Sequence, residues 1–528
     1  MTNKMKYAIG EQDFRTLVKG GYVYIDKTSF INTILEEGGK YYFLARPRRF
    51  GKSLFLSTLQ YFFEGERKLF KGLAVASTNW NWERYPVLRL DLNLGNYTDP
   101  DSLEAILEAY FREWEAKYDI IPFTKEISTR FRHIIEQAHR KTGKRVVVLV
   151  DEYDKPLVRN ISREEEFEQY RAKLASLYSN FKSSSEHLRL VFLTGVSRFS
   201  KLSIFSDLNN LNDITFDDAF ADICGVTVKE INTILSPGIE KLADKLGITV
   251  EQTERELKEN YDGYRFTENG SHVYNPWSLL SCLYKGKIEY YWNDTGLPTL
   301  IAETLRRIDV NLEDTLDSYC GESDLKGLDL LNPNPTALLF QTGYLTIKDY
   351  DRRVRSYRLG LPNNEVKFGL FNVLIPYYVT TKPVEGNILV KEIARNFIFG
   401  EPEKGMKGLQ SYFAGIDYAM RMDNENNFHN AFFLLMDMIG LNTATESHTS
   451  EGRIDIEIKT ENYVYIIELK YDHPAEEALR QIQERNYGRK YQLDSRKLIL
   501  IGASFSSKTR CIESWKILVV PQGILRMP

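Results

Sequence analysis

The chain has 528 residues, which suffices for about three to four compact domains. Its composition, 43% hydrophobic and 27% charged, is globular and excludes a disordered, collagenous or disulfide-scaffold protein. The formal net charge of −4 excludes a strongly basic nucleic-acid coat but leaves room for a local basic groove. Widely spaced cysteines, no visible signal peptide and no long apolar run together predict a cytoplasmic protein without a membrane span.

Residues 1–225 alternate short apolar runs with helical patterns. This alternation predicts βαβ units and a parallel sheet that is covered by helices on both faces. The predicted strands are Tyr41–Ala45, Val87–Leu92, Arg145–Val150 and Leu188–Thr194. The predicted helices are Lys52–Phe63, Ser102–Tyr118 and Arg163–Ser183.

The rest of the chain divides into two further predicted segments. Residues 226–385 are expected to form a mainly helical lid or linker, and no catalytic constellation is visible in them. Residues 386–528 open with helices, including the apolar stretch Phe428–Gly440, and continue as an α/β domain. The predicted elements of that α/β domain are strands at Ile454–Ile458, Val464–Leu469 and Lys497–Ile501, and a helix at Ala475–Tyr487.

A strand, a loop and a helix meet at residues 45–54, which have the sequence ARPRRFGKSL. This context predicts a phosphate-binding loop, because a helix N-terminus with exposed N–H groups holds phosphate oxygens. Lys52 would reach the β- and γ-phosphates of ATP, and Ser53 would bind Mg²⁺. A plain helix start with a glycine turn is the alternative. The predicted nucleotide contacts are Arg46, which replaces the usual first glycine, Pro47, Arg48, Arg49, Phe50, Gly51, Lys52 and Ser53.

Two further strand ends support a nucleotide site. Asp151 and Glu152 follow the buried run VVVLV, where the first acid can hold Mg²⁺ and the second can activate the attacking water. Thr194 and Arg198 follow the next strand, where polar groups could sense the γ-phosphate. An acidic turn and an ordinary strand end are the alternatives. The order and separation of the three motifs predict a P-loop ATPase with an additional strand.

The segment EGRIDIEIKTENYVYIIELK, residues 451–470, predicts a metal-dependent nuclease site. A hairpin across Thr460–Asn462 would bring Asp455 near Glu468, and Lys470 shares the face of Glu468 because it lies two residues further along. The two carboxylates would bind Mg²⁺, and Lys470 would orient water and stabilise negative charge. Gln481 on the following helix is a further catalytic candidate. An exposed hairpin with alternating charges is the alternative.

These residues resemble a known family, the AAA-ATPase-like proteins with a C-terminal PD-(D/E)XK nuclease domain. The matching segments run in order through nearly the whole chain. They are YVYIDKT (22–28), RPRRFGKS (46–53), VLVDEYDKP (148–156), LTGVSRFSK (193–201), LFQTGYL (339–345), EGRIDI (451–456), YIIELK (465–470) and ALRQIQERNY (478–487). The resemblance implies an ATPase core, a helical middle region and a restriction-endonuclease-like C-terminal fold. It suggests no mechanism for Tyr24, Asp26 and Lys27.

The leading hypothesis from the sequence is an ATP-binding and ATP-hydrolysing protein whose Mg²⁺-dependent nuclease domain cleaves nucleic acid under nucleotide control. The expected partner is nucleic acid, with DNA ahead of RNA, and a homo-oligomer is left open because P-loop ATPases often complete their site with a neighbour's arginine. The alternative is a nucleotide-dependent switch or scaffold whose nuclease-like domain binds nucleic acid or protein without cleavage.

Overall fold

The computed structural model separates into two compact units. The first comprises residues 1–296 and 316–367, and the second comprises residues 297–315 and 368–528. The division into segments 1–225, 226–385 and 386–528 stays a prediction. The structure describes residues 5–99, 101–161, 163–198, 210–292, 301–302, 304–305, 308, 310–326, 334–378, 383–415, 425–438, 442–444, 447–449, 452–454, 456–491, 494–506, 508–509 and 511–520.

A five-stranded parallel sheet forms the centre of the first unit. Its strands are β1 (Tyr41–Ala45), β2 (Val87–Asp91), β3 (Val146–Asp151), β4 (Leu188–Gly195) and β5 (Asn212–Asp213). They lie in the order β2-β3-β4-β1-β5, and all neighbouring pairs are parallel. β4 therefore separates β1, which precedes the GKS loop, from β3, which ends in the acidic pair. This arrangement confirms the predicted parallel sheet with an additional strand.

Helices pack on both faces of this sheet, as the buried apolar runs predict. Every residue of β1 and β3 is buried, which a parallel sheet between two helical layers requires. One face packs against helices Ser102–Lys117, Ile127–Thr142 and Glu164–Ser183. On the other face, Phe55 of helix Lys52–Phe63 contacts Phe192 of β4, with ring centroids 5.8 Å apart. The helix after the GKS loop is thus anchored directly to the sheet.

The other described helices of the first unit are shorter or lie outside this core. They are Phe14–Gly20, Ser29–Glu37, Lys155–Val158, Val228–Glu230, Ser236–Leu246, Val250–Tyr261, Pro276–Lys285, Glu322–Lys326 and Pro335–Thr342. Two small antiparallel sheets accompany them, which the sequence analysis did not anticipate. They are β6 (Val226–Thr227) with β7 (Val273–Tyr274), and β8 (Asp317–Gly321), β9 (Thr346–Asp351) and β10 (Ser356–Gly360). The strands of the larger sheet are rich in polar residues, so they lack the apolar runs that marked the central strands.

The second unit contains a mixed five-stranded sheet in the order β11-β14-β15-β16-β17. Its strands are β11 (Asn442–Ala444), β14 (Ile456–Lys459), β15 (Tyr463–Tyr471), β16 (Lys497–Phe505) and β17 (Ile512–Val519), and a separate pair is β12 (Ser447–Thr449) with β13 (Gly452–Ile454). β15 and β16 are parallel, and the other neighbours in the sheet are antiparallel. The described helices that lie at least partly in this unit are Leu312–Leu316, Asn364–Tyr378, Pro383–Ile398, Pro402–Ala414, Glu425–Met438 and Ala475–Glu484.

The predicted hairpin between β14 and β15 is confirmed. Ile456 pairs with Ile467, and the chain reverses across residues 460–462. The turn is closed by the Tyr463 N–H, which donates to Thr460 Oγ1 at 2.9 Å. Within the part of the chain that the structure describes, no helix combines the length and the apolar character that crossing a bilayer requires.

Helix Ala475–Glu484 crosses from β15 to β16 and lies unusually close to β16. A Cβ at Gly502 would come within 2.3 Å of the backbone nitrogen of Leu479 and 2.4 Å of the carbonyl oxygen of Ala475. Gly502 is also the register partner of Glu468 on β15. The missing side chain therefore lets this helix approach the strand that carries the candidate nuclease residues.

We predict that Gly502→Ala destabilises the protein by about 1–3 kcal/mol, because the new methyl group would collide with helix backbone that cannot rotate away. The free energy of unfolding in urea measures this. Gly488→Ala is the control, since its Cβ would meet only the terminal methyl group of Leu498 at 2.9 Å. Equal stability of Gly502→Ala and the parent would contradict the close approach.

Candidate functional site

The loop between β1 and helix Lys52–Phe63 borders a cavity of about 490 Å³. Gly51, the last loop residue, has a φ of +97°, a conformation that only glycine adopts without strain. Nothing lies within 4 Å of the position that a Gly51 Cβ would take. The first turn of the helix therefore has open space in front of it, as a phosphate-binding loop needs.

Lys52 is held inside this loop. Its ammonium group donates to the carbonyl oxygens of Arg46 and Pro47 at 2.9 and 3.1 Å, and it lies 3.5 Å from Glu152 Oε1. The side chain is only 3% exposed, so these contacts balance the cost of burying its charge. Lys52 and Glu152, which come from different predicted motifs, are thus brought together at the cavity.

Asp151 joins the predicted motifs at the ends of β3 and β4. Thr194 Oγ1 donates to Asp151 Oδ1 at 2.7 Å, and the Ser53 hydroxyl also hydrogen-bonds to this carboxylate. Burial and the charge of Glu152 raise the pKa of Asp151, while the two hydroxyl groups act in the opposite direction. The structure therefore gathers three oxygen-bearing side chains, Ser53, Asp151 and Thr194, beside the first turn of the helix.

This donor set fits magnesium. Mg²⁺ prefers hard oxygen ligands, and it is usually held by one or two carboxylates together with water and substrate phosphates. Asp151 and the hydroxyl of Ser53 are the two protein groups that would hold it. A group of three or more His, Cys, Asp or Glu side chains arranged for metal binding does not occur among the described residues.

Glu152 has a strained backbone at the end of β3. Its φ is +52°, which is uncommon for a residue with a side chain. The side chain is 14% exposed and lines the cavity beside Lys52. Strain of this kind persists where surrounding contacts over-determine a conformation, often at functional positions.

Two of the predicted nucleotide contacts have side chains that pack inside the protein. The guanidinium of Arg46 donates to the carbonyl oxygens of Thr215 and Phe220 at 2.8 and 3.2 Å and lies over the Phe266 ring. Burial lowers the pKa of Arg46 to about 10. The ring of Phe50 packs edge-on against Tyr264 and Phe266. Both side chains anchor the loop by packing inside the protein, and Phe50 also lines the cavity.

The other predicted arginines differ in their partners. Arg49 stacks over the Trp277 ring, with its guanidinium carbon 4.1 Å from the ring centroid. Arg198 forms an ion pair with Asp213 at 2.8 Å. Arg48 lines the cavity with Lys52 and Glu152. Arg48 and Arg49 therefore line the cavity, whereas Arg198 is ion-paired with the carboxylate of Asp213.

Several cavity residues escaped the sequence analysis. Asp91 is the last residue of β2 and Asn93 follows that strand, while Lys155 and Arg159 follow β3. Lys155 Nζ donates to Asn93 Oδ1 at 2.9 Å. The sequence did contain a signal for Asp91. The strand VLRLD ends in this acid, and the carboxyl ends of parallel strands meet at one edge of a sheet.

Asp154, also missed, ties the loop after β3 to the loop after β4. Its Oδ2 accepts from the backbone N–H groups of Val196 and Ser197 at 3.1 and 2.7 Å. The residue is 1% exposed, and burial raises the pKa of its carboxyl group. Asp154 therefore fixes the backbone that follows Thr194.

The structure shows contacts for Tyr24, Asp26 and Lys27, the three residues for which the resemblance suggests no mechanism. The hydroxyl groups of Tyr24 and Thr58 lie 3.3 Å apart, which links the N-terminal segment to the helix after the loop. Asp26 accepts from the backbone N–H groups of Thr28 and Ala74. Lys27 forms an ion pair at 2.7 Å with Glu230. Glu230 also forms a capping box with Thr227 at the start of a helix. Tyr24 and Lys27 also line the cavity.

In the second unit, Glu468 and Gln481 are in direct contact. The Gln481 amide donates to Glu468 Oε1, and Glu468 is 4% exposed. Lys470 is half-buried two residues further along β15, so it shares the face of Glu468. Asp455 lies outside the described residues. Three of the four predicted nuclease residues are therefore described, and at least two of them touch.

Glu457, which the sequence analysis did not select, lies on the same face of the sheet. It pairs in register with Ile466, two residues before Glu468. The carboxylate is 1% exposed and contacts Lys459 and Lys490, each at 2.5 Å. Burial by itself would raise the pKa of Glu457, but the two lysines outweigh it and hold the pKa below its usual value.

Comparison with known proteins defines the class of both regions. Residues 8–205 match the family model described as "Predicted AAA-ATPase", and residues 423–515 match the "PD-(D/E)XK nuclease superfamily". The chain is also 35% identical, over 97% of its length and 98% of the relative's, to "Uncharacterized protein in vnfD 5'region" of Azotobacter chroococcum mcd 1. The chain therefore belongs to the family of predicted AAA-ATPases with a C-terminal PD-(D/E)XK nuclease domain.

Comparison with a solved structure adds little to the description of the fold. The Aeropyrum pernix ORC2 protein, whose title names ADPNP–ADP complexes, aligns with a TM-score of 0.23 and 11% identity. The alignment covers 71% of this chain and 96% of that one. A TM-score at this level is too low to relate the two folds.

Glu365 supports the loop from outside the predicted site. Its Oε1 accepts from the backbone N–H groups of Tyr291 and Trp292 at 2.5 and 3.1 Å. The indole N–H of Trp292 donates in turn to the carbonyl oxygen of Arg48 at 3.3 Å. Burial raises the pKa of Glu365 to about 7.

We predict that Glu365→Gln changes the pH dependence of stability. In the folded protein Glu365 keeps its proton up to about pH 7, whereas the unfolded chain releases it near pH 4.5. Ionisation of Glu365 therefore lowers the free energy of unfolding as the pH rises from about 4.5 to about 7. Glutamine keeps the acceptor oxygen but cannot ionise. The difference between the free energies of unfolding of the variant and the parent is measured in urea at both pH values. It should favour the variant by about 1–3 kcal/mol more at pH 8 than at pH 5. An equal difference at both pH values would contradict the burial.

Proposed function

We propose that the first unit binds and hydrolyses ATP with Mg²⁺. The observation that carries this proposal is the cluster of Ser53, Asp151 and Thr194 beside an open helix N-terminus. These side chains come from three predicted motifs, and an ordinary glycine turn would have no reason to gather them at one point.

The lining of the cavity supports a nucleoside triphosphate as the ligand. Its charged part includes the cations Arg48, Lys52, Lys155 and Arg159, which suit a triphosphate. Its apolar part includes Ile9, Val23, Ile25, Val226, Trp277 and Leu280, which suit a base. A volume of about 490 Å³ is within the usual range for sites of small ligands.

In this proposal each side chain has a distinct task. Lys52 leaves the carbonyl oxygens of the loop and contacts the phosphates, which replace them as acceptors. Glu152 takes a proton from the attacking water. Bound Mg²⁺ supplies positive charge that neutralises the phosphate oxygens.

We predict that Lys52→Ala lowers phosphate release from ATP by about 10²-fold or more, because the loop loses its charge on the phosphates. Glu152→Gln should bind a fluorescent ATP analogue like the parent and hydrolyse ATP about 10²-fold more slowly. The control is Lys71→Ala, an exposed lysine of the same unit. If the parent protein binds nucleotide but releases no phosphate, the proposal of ATP hydrolysis is wrong and the proposal of ATP binding stands.

We further propose that the second unit cleaves phosphodiester bonds in nucleic acid with Mg²⁺, and we favour DNA as the substrate. Glu468 is oriented by Gln481, and Lys470 shares its face. Ile456 pairs with Ile467, the neighbour of Glu468, and Asp455 immediately precedes Ile456 in the chain. This register supports Asp455 and Glu468 as a pair of carboxylate ligands.

The residues of this site fit a hydrolytic role. The carboxylates would hold the metal, which supplies an activated water and polarises the phosphate. Lys470 would orient the water and offset the charge that develops on the phosphate. Gln481 would keep Glu468 in position, because its amide donates to the carboxylate.

We predict that Glu468→Gln and Lys470→Ala each lower cleavage of labelled DNA by about 10²–10³-fold. The assay compares single- and double-stranded DNA and RNA in Mg²⁺ or Mn²⁺, and EDTA should abolish cleavage. Glu461→Gln in the exposed hairpin turn is the matched control for Glu468. Undiminished cleavage by Lys470→Ala would remove Lys470 from the mechanism.

The same assay tests nucleotide control, which we propose as the link between the two activities. Parent protein should cleave at different rates with and without ATP, since a ligand that binds one arrangement better shifts the population toward it. Lys52→Ala should not respond to ATP. If Lys52→Ala cleaves and responds as the parent does, the two activities are independent. Nucleic-acid binding without cleavage would favour the scaffold.

A further inference from the structure

Three lysines of the described residues line the cavity beside the GKS loop, and their partners differ. Lys27 and Lys52 each form an ion pair with a glutamate. The Lys155 ammonium group instead donates to an uncharged amide, Asn93 Oδ1, at 2.9 Å. Within the part of the chain that the structure describes, no carboxylate lies within 4 Å of this ammonium group. Lys155 is therefore a cavity cation without an anionic partner among the described residues.

The charge of Lys155 is costly at this position. The residue is only 9% exposed, and burying an ammonium group without an opposite charge is unfavourable. Burial lowers the pKa of Lys155, and the neighbouring cations Arg48 and Arg159 act in the same direction. The negative charges of Glu152 and Asp154 oppose this shift only in part. An anionic ligand in the cavity would stabilise the charged form, because it would offset both the burial and the repulsion.

A hydrogen-bonded turn after β3 carries Lys155 to the cavity. The Lys155 backbone N–H donates to the Glu152 carbonyl oxygen at 3.0 Å, and Pro156 lies in the first turn of the short helix that follows. Between Glu152 and Lys155, the carboxylate of Asp154 accepts hydrogen bonds from the backbone of the loop after β4. The backbone of Lys155 is therefore fixed one turn away from Glu152.

The acceptor of Lys155 lies at the same edge of the sheet as the acid that would hold magnesium. Asn93 comes two residues after Asp91, and Asp91 is the register partner of Asp151. Glu152 is the residue proposed to take the proton from the attacking water. In a bound triphosphate, both the metal ion and the attacking water lie at the γ-phosphate. The Lys155 ammonium group is therefore at the γ-phosphate end of the candidate site.

We propose that Lys155 binds the γ-phosphate and makes the site prefer ATP to ADP. This inference rests on the proposed binding of ATP, but not on its hydrolysis. The γ-phosphate adds acceptors to Asn93 Oδ1, because an ammonium group has three N–H donors. Lys52, from the loop, reaches the β- and γ-phosphates and so contributes to the binding of both nucleotides. Lys155 contributes only to the binding of the nucleotide that has a third phosphate.

The first test compares the affinities for the two nucleotides. Fluorescent derivatives of ADP and of a non-hydrolysable ATP analogue are titrated into the full-length protein with Mg²⁺. The parent should prefer the triphosphate. Lys155→Ala should lose about 10–10²-fold of its triphosphate affinity, whereas its ADP affinity should change by less than about threefold. Lys52→Ala should bind both nucleotides more weakly, and Lys71→Ala, at an exposed position, controls for loss of charge.

A second comparison separates phosphate binding from a structural role. If Lys155 served only to hold the loop after β2, Asn93→Ala would lower triphosphate affinity as much as Lys155→Ala does, because it removes the same hydrogen bond. We expect a smaller loss in Asn93→Ala, which keeps the ammonium group. Lys155→Met keeps the buried stem without the charge, so it should lose the preference for the triphosphate even if Lys155→Ala does not fold. Equal losses in Asn93→Ala and Lys155→Ala would overturn the γ-phosphate contact.

The same titrations distinguish failure of this inference from failure of the proposed function. A parent that binds neither nucleotide would overturn the proposed ATP binding and this inference with it. A parent that binds the two nucleotides equally, or a Lys155→Met variant that still prefers the triphosphate, would overturn the role of Lys155 alone.

Discussion

The buried carboxylate of Asp151 joins the three parts of the chain that form the nucleotide-site candidate. A carboxylate without water is costly unless hydrogen bonds satisfy it, and the hydroxyl groups of Ser53 and Thr194 do so. This contact depends on the strand order, because β4 lies between β1 and β3. With another order, Thr194 would not reach the acid that ends β3.

The second unit depends on a different constraint, the distance between a helix and a strand. Gly502 leaves room for the backbone of helix Ala475–Glu484 against β16, and that helix carries Gln481 to Glu468 on the neighbouring strand β15. Both candidate sites therefore arise where strand ends meet a closely packed helix. In one the helix offers its N-terminus to an anion, and in the other it offers a side-chain amide to a carboxylate.

Local patterns in the sequence were sufficient for the main elements. The apolar runs YYFLA and RVVVLV predicted two strands that the structure contains, and the helix predicted after the first of them, Lys52–Phe63, has the bounds observed. Motif spacing also selected Ser53, Asp151 and Thr194, which the structure brings together. The strands of the three-stranded sheet at β8–β10 were missed, because their many polar residues obscure the period of two that marks a half-buried strand.

The uses of the arginines could not be inferred in this way. Arg46, Arg48 and Arg49 stand within four positions of one another, and nothing local distinguishes them. Thr215 and Phe220, which hold Arg46, come about 170 residues later in the chain, and Trp292, which positions Arg48, comes 244 residues later. The sequence by itself determined the chemistry available at this loop, since residue type and spacing are local properties. The tertiary structure alone decided which cation is buried and which faces the cavity, because that choice depends on partners that only the packed chain brings near.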